Sequence, residues 1–347
     1  MRLGAINWDS SRPATYYYGG YSIRSLSPSK YRGQTPFYAE IVNPEQIAYH
    51  MRSQEEYDKE LSYAIESGLD YLAYCWLGED HFDRNAPYKE GWVPEKLLCN
   101  AEYTWEHTYA RSMYAKSALN KKLKMCAIVL GAHPYSDKDL RMLALEMQQD
   151  YYEKINGRPL VYIWYGYLDV LIEKIRRFCD EVGTPQPYVA FMMNSKAEEG
   201  KDYGAADCVS AYAVGASNIT THAELCTKAL DMCEDKESYH MDIIPTFTVG
   251  WDPSPRIDHK IPWGSYGENV TYAKTPTGEE LTAAAERFAD WIKKNEVYVP
   301  ARHILTFAWN EFEEGAWICP TYSETEEADT TRLYDFRKAA EILKNAL

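Results

Sequence analysis

The sequence has no run of basic residues, no CxxC pair, no HxxxH spacing and no long apolar stretch, and each absence closes off a class of function. Binding a phosphate backbone depends on clustered Lys and Arg that displace counterions; here 37 Lys and Arg face 52 Asp and Glu, a formal net charge of −15. No nucleic-acid partner is expected. A membrane helix needs about 18 or more consecutive apolar residues, which are missing, so no membrane partner is expected either. The eight cysteines are scattered and several sit in apolar runs such as 72–76 and 124–130, so they read as reduced core residues and not as a disulfide framework or zinc site. The histidines and carboxylates lack metal-ligand spacing, and neither a metal nor any other cofactor is expected. The chain opens on a strand-like run without a charged-then-apolar leader, which predicts a cytoplasmic protein, or an exported one had a leader been removed.

Phenylalanine is scarce, at 9 residues against 30 Tyr and 10 Trp. Tyr and Trp carry a flat apolar face and a polar edge, which suits burial with one hydrogen bond and equally suits stacking on a sugar ring. Most of them must serve packing, since few residues of any chain line a pocket.

Short apolar runs alternate with longer amphipathic ones along the whole chain. Strands are predicted at 3–8, 69–76, 124–130, 160–165, 188–193, 208–212, 243–249 and 303–309, with helices near 54–67, 105–119, 137–155, 168–182, 221–233 and 279–294 and a closing helix at 330–347. Strands apolar on both faces, joined by helix-length crossovers, imply a parallel sheet covered by helices. Eight such units, without the GxGxxG turn of a doubly wound sheet, predict a single-domain (β/α)8 TIM barrel over residues 1–347. Such barrels build their sites at the C-terminal ends of the strands, so the loops 9–44, 77–103 and 250–278 are expected to wall a cleft.

The strand ends hold a mixture of carboxylates, amides and rings. Trp8, Asp9, Tyr74, Trp76, Tyr165, Tyr212, Trp251, Asp252, Arg256, Trp309 and Asn310 are candidate substrate-binding residues, because a sugar offers C–H faces to rings and hydroxyls to carboxylates and amides. Strand-end aromatics that merely plug the barrel mouth would give the same list. The sharpest segment is TFAWNEFEEGAWICP at 306–320, which runs from a strand into Asn310, Glu311, Glu313 and Glu314 and breaks at Gly315. Three carboxylates this close raise one another's pKa and cost stability, a combination tolerated chiefly at functional sites. Glycosidic cleavage needs a proton donor for the leaving oxygen and a second carboxylate, so Glu311 and Glu314 are the candidate catalytic pair. Arg256 has two open readings, orienting an acidic group or forming a structural pair with Asp252.

The run AWNEFEEG resembles the AWNEW-x-EG or NEWHEG segment of the family 99 glycoside hydrolases (endo-α-mannosidases and endo-α-mannanases) and of the related WbsX-like proteins of polysaccharide gene clusters. SGLDYLAYCW, INGRPLVYIWY and GWDPSPR follow the same order as that family's second strand, its DGKPV strand and its GWDNTPR loop. The resemblance implies retaining hydrolysis of a glycan, with the substrate's own 2-hydroxyl attacking the anomeric carbon. It implies Glu311 as the base assisting that hydroxyl and Glu314 as the acid/base for the leaving group and then water. Phe312 and Glu313 depart from the Trp and His usual there, so mannose specificity does not carry over. Two rival readings remain: a glycosyltransferase of polysaccharide biosynthesis, disfavoured because neither a diphosphate-binding glycine turn nor a DxD metal motif is evident, and a non-catalytic carbohydrate-binding barrel, which would not need the Glu pair. The cysteine reading gives a direct check: thiol titration of denatured protein prepared without reductant should find all eight free, and any protected pair would overturn it.

Overall fold

The computed structural model describes residues 1–8, 17–49, 53–77, 111–131, 133–166, 168–193, 203–234, 242–261, 266 and 270–347. The principal elements are β1 (Arg2–Asn7), α1 (Tyr17–Leu26), β2 (Ala39–Asn43), β3 (Gln46–Tyr49), α2 (Gln54–Glu66), β4 (Tyr71–Trp76), β5 (Lys124–Gly131), α3 (Asp137–Glu146), β6 (Lys154–Ile155) and β7 (Arg158–Gly166). They continue with α4 (Leu168–Val182), β8 (Tyr188–Met193), β9 (Cys208–Ala211), α5 (His222–Glu234), β10 (Asp242–Ile243), β11 (Thr246–Thr248), α6 (Ser254–Asp258), α7 (Gly278–Lys294), β12 (His303–Phe307), β13 (Asn310–Glu311), β14 (Ala316–Trp317) and α8 (Thr331–Lys344).

The main sheet runs β10-β9-β8-β7-β5-β4-β1-β12-β11, all parallel, and its two ends are successive pieces of one strand. Ile244 N–H donates to Val209 O at 2.9 Å on one side, and Leu305 N–H donates to Pro245 O at 3.0 Å on the other. Pro245 has no N–H, so the ladder breaks there and the strand hands over from β9 to β12. The sheet therefore closes on itself, and the predicted eight-stranded barrel is present with its seventh strand split in two. Among the described residues no helix is long and apolar enough to cross a membrane.

Side chains alternate along β4, as the period of two requires. On β4, Tyr71 and Cys75 point inward: Tyr71 meets the Tyr162 hydroxyl at 2.9 Å and Cys75 Sγ lies 4.0 Å from the Tyr212 hydroxyl. Tyr74 and Trp76 consequently point outward to the helical layer. The barrel floor is held by buried Glu153, which accepts from Arg2 Nε at 2.5 Å and Arg2 Nη2 at 2.6 Å, while His303 Nε2 lies 2.9 Å away. Burial alone would raise the Glu153 pKa, but hydrogen bonds from His303 and Arg2 hold it below the ordinary carboxylate value.

Two differences from the sequence reading have physical causes. The helix predicted over 137–155 stops at Glu146, because an Asn156-Gly157 turn folds β6 back antiparallel on β7. The stretch 9–44 is more than a loop, since it carries α1 and the first strand of the β2–β3 hairpin. Of the loop 77–103 only Leu77 is described, and the short link at 195–203 falls almost wholly outside the described residues. The seven described cysteines are buried and free, in keeping with core packing.

Candidate active site

At the C-terminal end of β12 the chain makes a small hairpin. β13 pairs antiparallel with β14, and Glu311 at the end of β13 together with Glu313 and Glu314 of a single 3-10 turn at Phe312–Glu314 brings three carboxylates together before Gly315 closes the turn in the left-handed region at φ 68°. The loop after the seventh strand packs backbone to backbone against this hairpin, with Asp252 N–H donating to Glu314 O at 2.7 Å. A Cβ on Gly315 would stand 2.6 Å from Asp252 N, and one on Gly250 would stand 2.2 Å from Gly315 O. Both glycines are thus demanded by the approach of the two loops. Arg332, from the first turn of α8, braces the pair by donating to Trp317 O at 2.5 Å and to Val249 O.

That approach delivers Arg256 to the carboxylates. Asp252 accepts from Ser254 N–H at 3.0 Å, which organises the start of α6, and Arg256 lies one residue further on from Pro255. Its Nη2 donates to Glu311 Oε2 at 3.2 Å and to Glu313 Oε2 at 3.1 Å, and its Nη1 donates to Glu314 Oε1. All four side chains are buried. Arg256 thus pairs with the three glutamates and not with Asp252, which accepts from Ser254.

Each candidate catalytic carboxylate also has its own phenol. Tyr212 donates to Glu311 at 3.0 Å and Tyr266 donates to Glu314 at 3.0 Å. Burial pushes the Tyr212 pKa well above its usual value, so it stays a neutral donor. Burial first, and then repulsion from Glu314, raises Glu311 above the ordinary carboxylate range even though Arg256 opposes the shift. Glu314 is raised by burial too, against the pull of Arg256 and the Tyr266 hydroxyl. Burial alone would lower Arg256, but the three carboxylates outweigh it and keep the guanidinium charged. One positive charge faces three buried carboxylates, so burial and mutual repulsion push the Glu311–Glu314 pair toward its protonated form. A pair that offers a proton donor beside a base is what acid–base chemistry requires.

The remaining candidates divide. Asn310 spends its amide on the scaffold, donating to Asn7 Oδ1 at 2.8 Å and Trp8 O at 3.2 Å and accepting from Trp8 N–H at 2.9 Å. It positions Trp8, which is partly buried at the barrel mouth. Trp251 is also partly buried, its ring 5.9 Å from Phe307 and 6.5 Å from Tyr266. Tyr165 is exposed at the mouth. Three aromatic candidates are corrected by strand parity: Tyr74 meets the Tyr57 hydroxyl at 2.7 Å, Trp309 donates to Glu60 at 2.7 Å, and both partners lie on α2, outside the barrel. Trp76 is fully buried in that layer, with Tyr135 at 5.2 Å and the Arg111 guanidinium at 5.4 Å. Asp9 lies outside the described residues. Three residues outside the candidate set join the site. Glu313 carried a signal in the acidic run, Trp164 stacks on Tyr212 at 3.9 Å and carried one as a strand-end ring, but Tyr266 carried none beyond its aromatic-rich loop.

The chain was compared with known structures, and two stand near it. Both are structures of the GH99 endo-α-mannosidase of Bacteroides thetaiotaomicron. One, in complex with BIS-TRIS-propane, matches with a TM-score of 0.56 at 13% identity; the match covers 99% of this chain and 97% of that one. The other matches with a TM-score of 0.58 at 14% identity and the same coverage. The chain shares the fold of that enzyme over its whole length. No family model matches the sequence, and no curated protein matches it either.

The electrostatics of the cluster make a prediction about Arg256. A carboxyl whose pKa is raised by folding stabilises fully below its unfolded value of 4.5 and loses that contribution as pH rises through the folded value. Removing the guanidinium raises those folded values further. Arg256→Met should therefore cost on the order of 3–5 kcal/mol at pH 8, the usual penalty for unpairing buried charge. The deficit should shrink steadily as pH falls toward 4.5 in thermal melts; a deficit independent of pH would show that the arginine acts by packing alone.

Proposed function

We propose that the protein is a glycoside hydrolase that cleaves a glycosidic bond within an oligo- or polysaccharide, with Glu311 and Glu314 as its catalytic carboxylates. The observation that carries this reading is the pair itself: two buried carboxyls on one guanidinium, each bonded to a tyrosine, at the C-terminal end of a barrel strand. The AWNEFEEG segment and the whole-chain fold likeness to an endo-α-mannosidase support the same reaction class.

In the free site the proton is favoured on Glu311, because Glu314 has the closer contact with Arg256. A sugar entering between Arg256 and Glu314 weakens that ion pair and draws the proton to Glu314, on the leaving-group side. Glu311 is then ionised and serves as the base on the nucleophile side, which is the order needed for retaining hydrolysis assisted by the substrate's 2-hydroxyl. Tyr212 holds Glu311 in place throughout. The chain does hold one DxD, Asp137-Lys138-Asp139, but it begins α3, where buried Asp139 is engaged with Ser136 as a cap, so it lends a sugar-nucleotide transferase reading no support.

The test begins with purified protein and a panel of natural glycans, scored by released reducing ends. On a cleaved glycan, Glu311→Gln and Glu314→Gln should each lower turnover roughly 100-fold or more, while the double variant falls well short of the product of the two because they act as a unit. An activated leaving group needs little protonation, so it should partly rescue Glu314→Gln and not Glu311→Gln. Near-normal turnover in either single variant would refute the assignment, and the opposite rescue pattern would exchange the two roles.

A further inference from the structure

The ladder between β5 and β7 is regular from Ala127 opposite Val161 to Leu130 opposite Trp164 and then skips a residue, so that Gly131 stands opposite Gly166. The residue left out is Tyr165. It takes a left-handed backbone at φ 41°, a conformation costly for a bulky side chain, and Gly166 follows at φ 94°. Gly131 is required here, because a Cβ on it would stand 1.9 Å from Tyr165 O. A bulge of this kind, placed beside an active site, re-aims a side chain.

The re-aimed ring is 39% exposed, and its hydroxyl has no protein partner among the described residues. It does not stand alone. Its edge meets Trp164 at 4.9 Å and 89°, Trp164 stacks face to face on Tyr212 at 3.9 Å and 11°, and Tyr212 donates to Glu311. An unbroken train of rings thus leads from the catalytic carboxylate to an exposed phenol at the barrel mouth. Core packing does not account for an exposed ring on a strained backbone.

We propose that Tyr165 is the stacking platform of an outer subsite, which binds a second sugar ring of the glycan, so that the protein recognises at least a disaccharide unit. This rests on the glycoside hydrolase reading and adds to it the residue that holds the second ring. The exposed face of a phenol takes the C–H face of a pyranose, and the free hydroxyl adds one hydrogen bond at its rim.

The experiment uses full-length protein in the Glu314→Gln background, titrated against an array of natural oligosaccharides and their constituent monosaccharides. Tyr165→Ala and Tyr165→Gly should lose tenfold or more in affinity for the oligosaccharides that the parent binds, while Tyr165→Trp keeps most of it. Glycine adopts positive φ freely, so Tyr165→Gly should melt no lower than its parent. A purely structural ring would give the opposite pair of results. Unchanged affinity in Tyr165→Gly, a melting point several degrees lower, or a parent that binds oligosaccharides no better than monosaccharides would each overturn the subsite. Protein with Glu311 and Glu314 intact that cleaves none of the glycans it binds would instead remove the hydrolase reading, and a loss of affinity in Tyr165→Gly would still support the subsite.

Discussion

The guanidinium of Arg256 holds three buried carboxylates at one point, and most of what is particular to this barrel serves that contact. Two unit charges about 4 Å apart repel by about 4 kcal/mol at an effective dielectric of roughly 20, so Glu311, Glu313 and Glu314 would not stay buried together without a fixed cation and a retained proton. Arginine suits the position better than lysine, since its planar fork addresses Glu314 through one amino group and Glu311 and Glu313 through the other. The strain of the arrangement is chemical capital: a proton kept near neutral pH between two carboxyls is a proton available for transfer.

Positioning that contact falls to backbone geometry at two loops. Gly250 and Gly315 allow the loops after the seventh and eighth strands to touch main chain to main chain, and Arg332 ties both from below. The split of the seventh strand at Pro245 sits at the same seam, where the barrel closes. Asn310 then links the eighth strand to the first by saturating its amide on Asn7 and Trp8. The site is therefore built across the closure of the barrel, with Glu311 and Glu314 each held by a phenol from a different loop.

The barrel was legible because its strands are apolar on both faces and its crossovers are helix-length, features that survive without knowledge of tertiary contacts. All eight strands stand within a few residues of their expected places, the seventh in two pieces. The acidic turn was legible for a different reason, since crowded carboxylates flanked by Trp and Phe do not read as a solvated loop. Side-chain direction at the strand ends was not legible. Tyr74, Trp76 and Trp309 share the composition of a sugar platform, and only the alternation set by the register sends them to α2 and the helical layer. The partners of Arg256 were hidden as well, because Asp252 is its near neighbour in sequence but accepts from Ser254, while the three glutamates come from more than fifty residues away.

The central claim is that Glu311 and Glu314 jointly hold one proton under the control of Arg256. Infrared spectroscopy of protein carrying ¹³C-labelled glutamate carboxyls measures it directly, by following the carboxylic acid band against pH in the parent and in Glu311→Gln and Glu314→Gln. The account predicts one protonated glutamic acid that persists to neutral pH, titrates above the ordinary carboxylate value of 4.5 and is lost or displaced in either variant. A parent in which every glutamate is ionised by pH 6, with spectra that the substitutions leave unchanged, would contradict it.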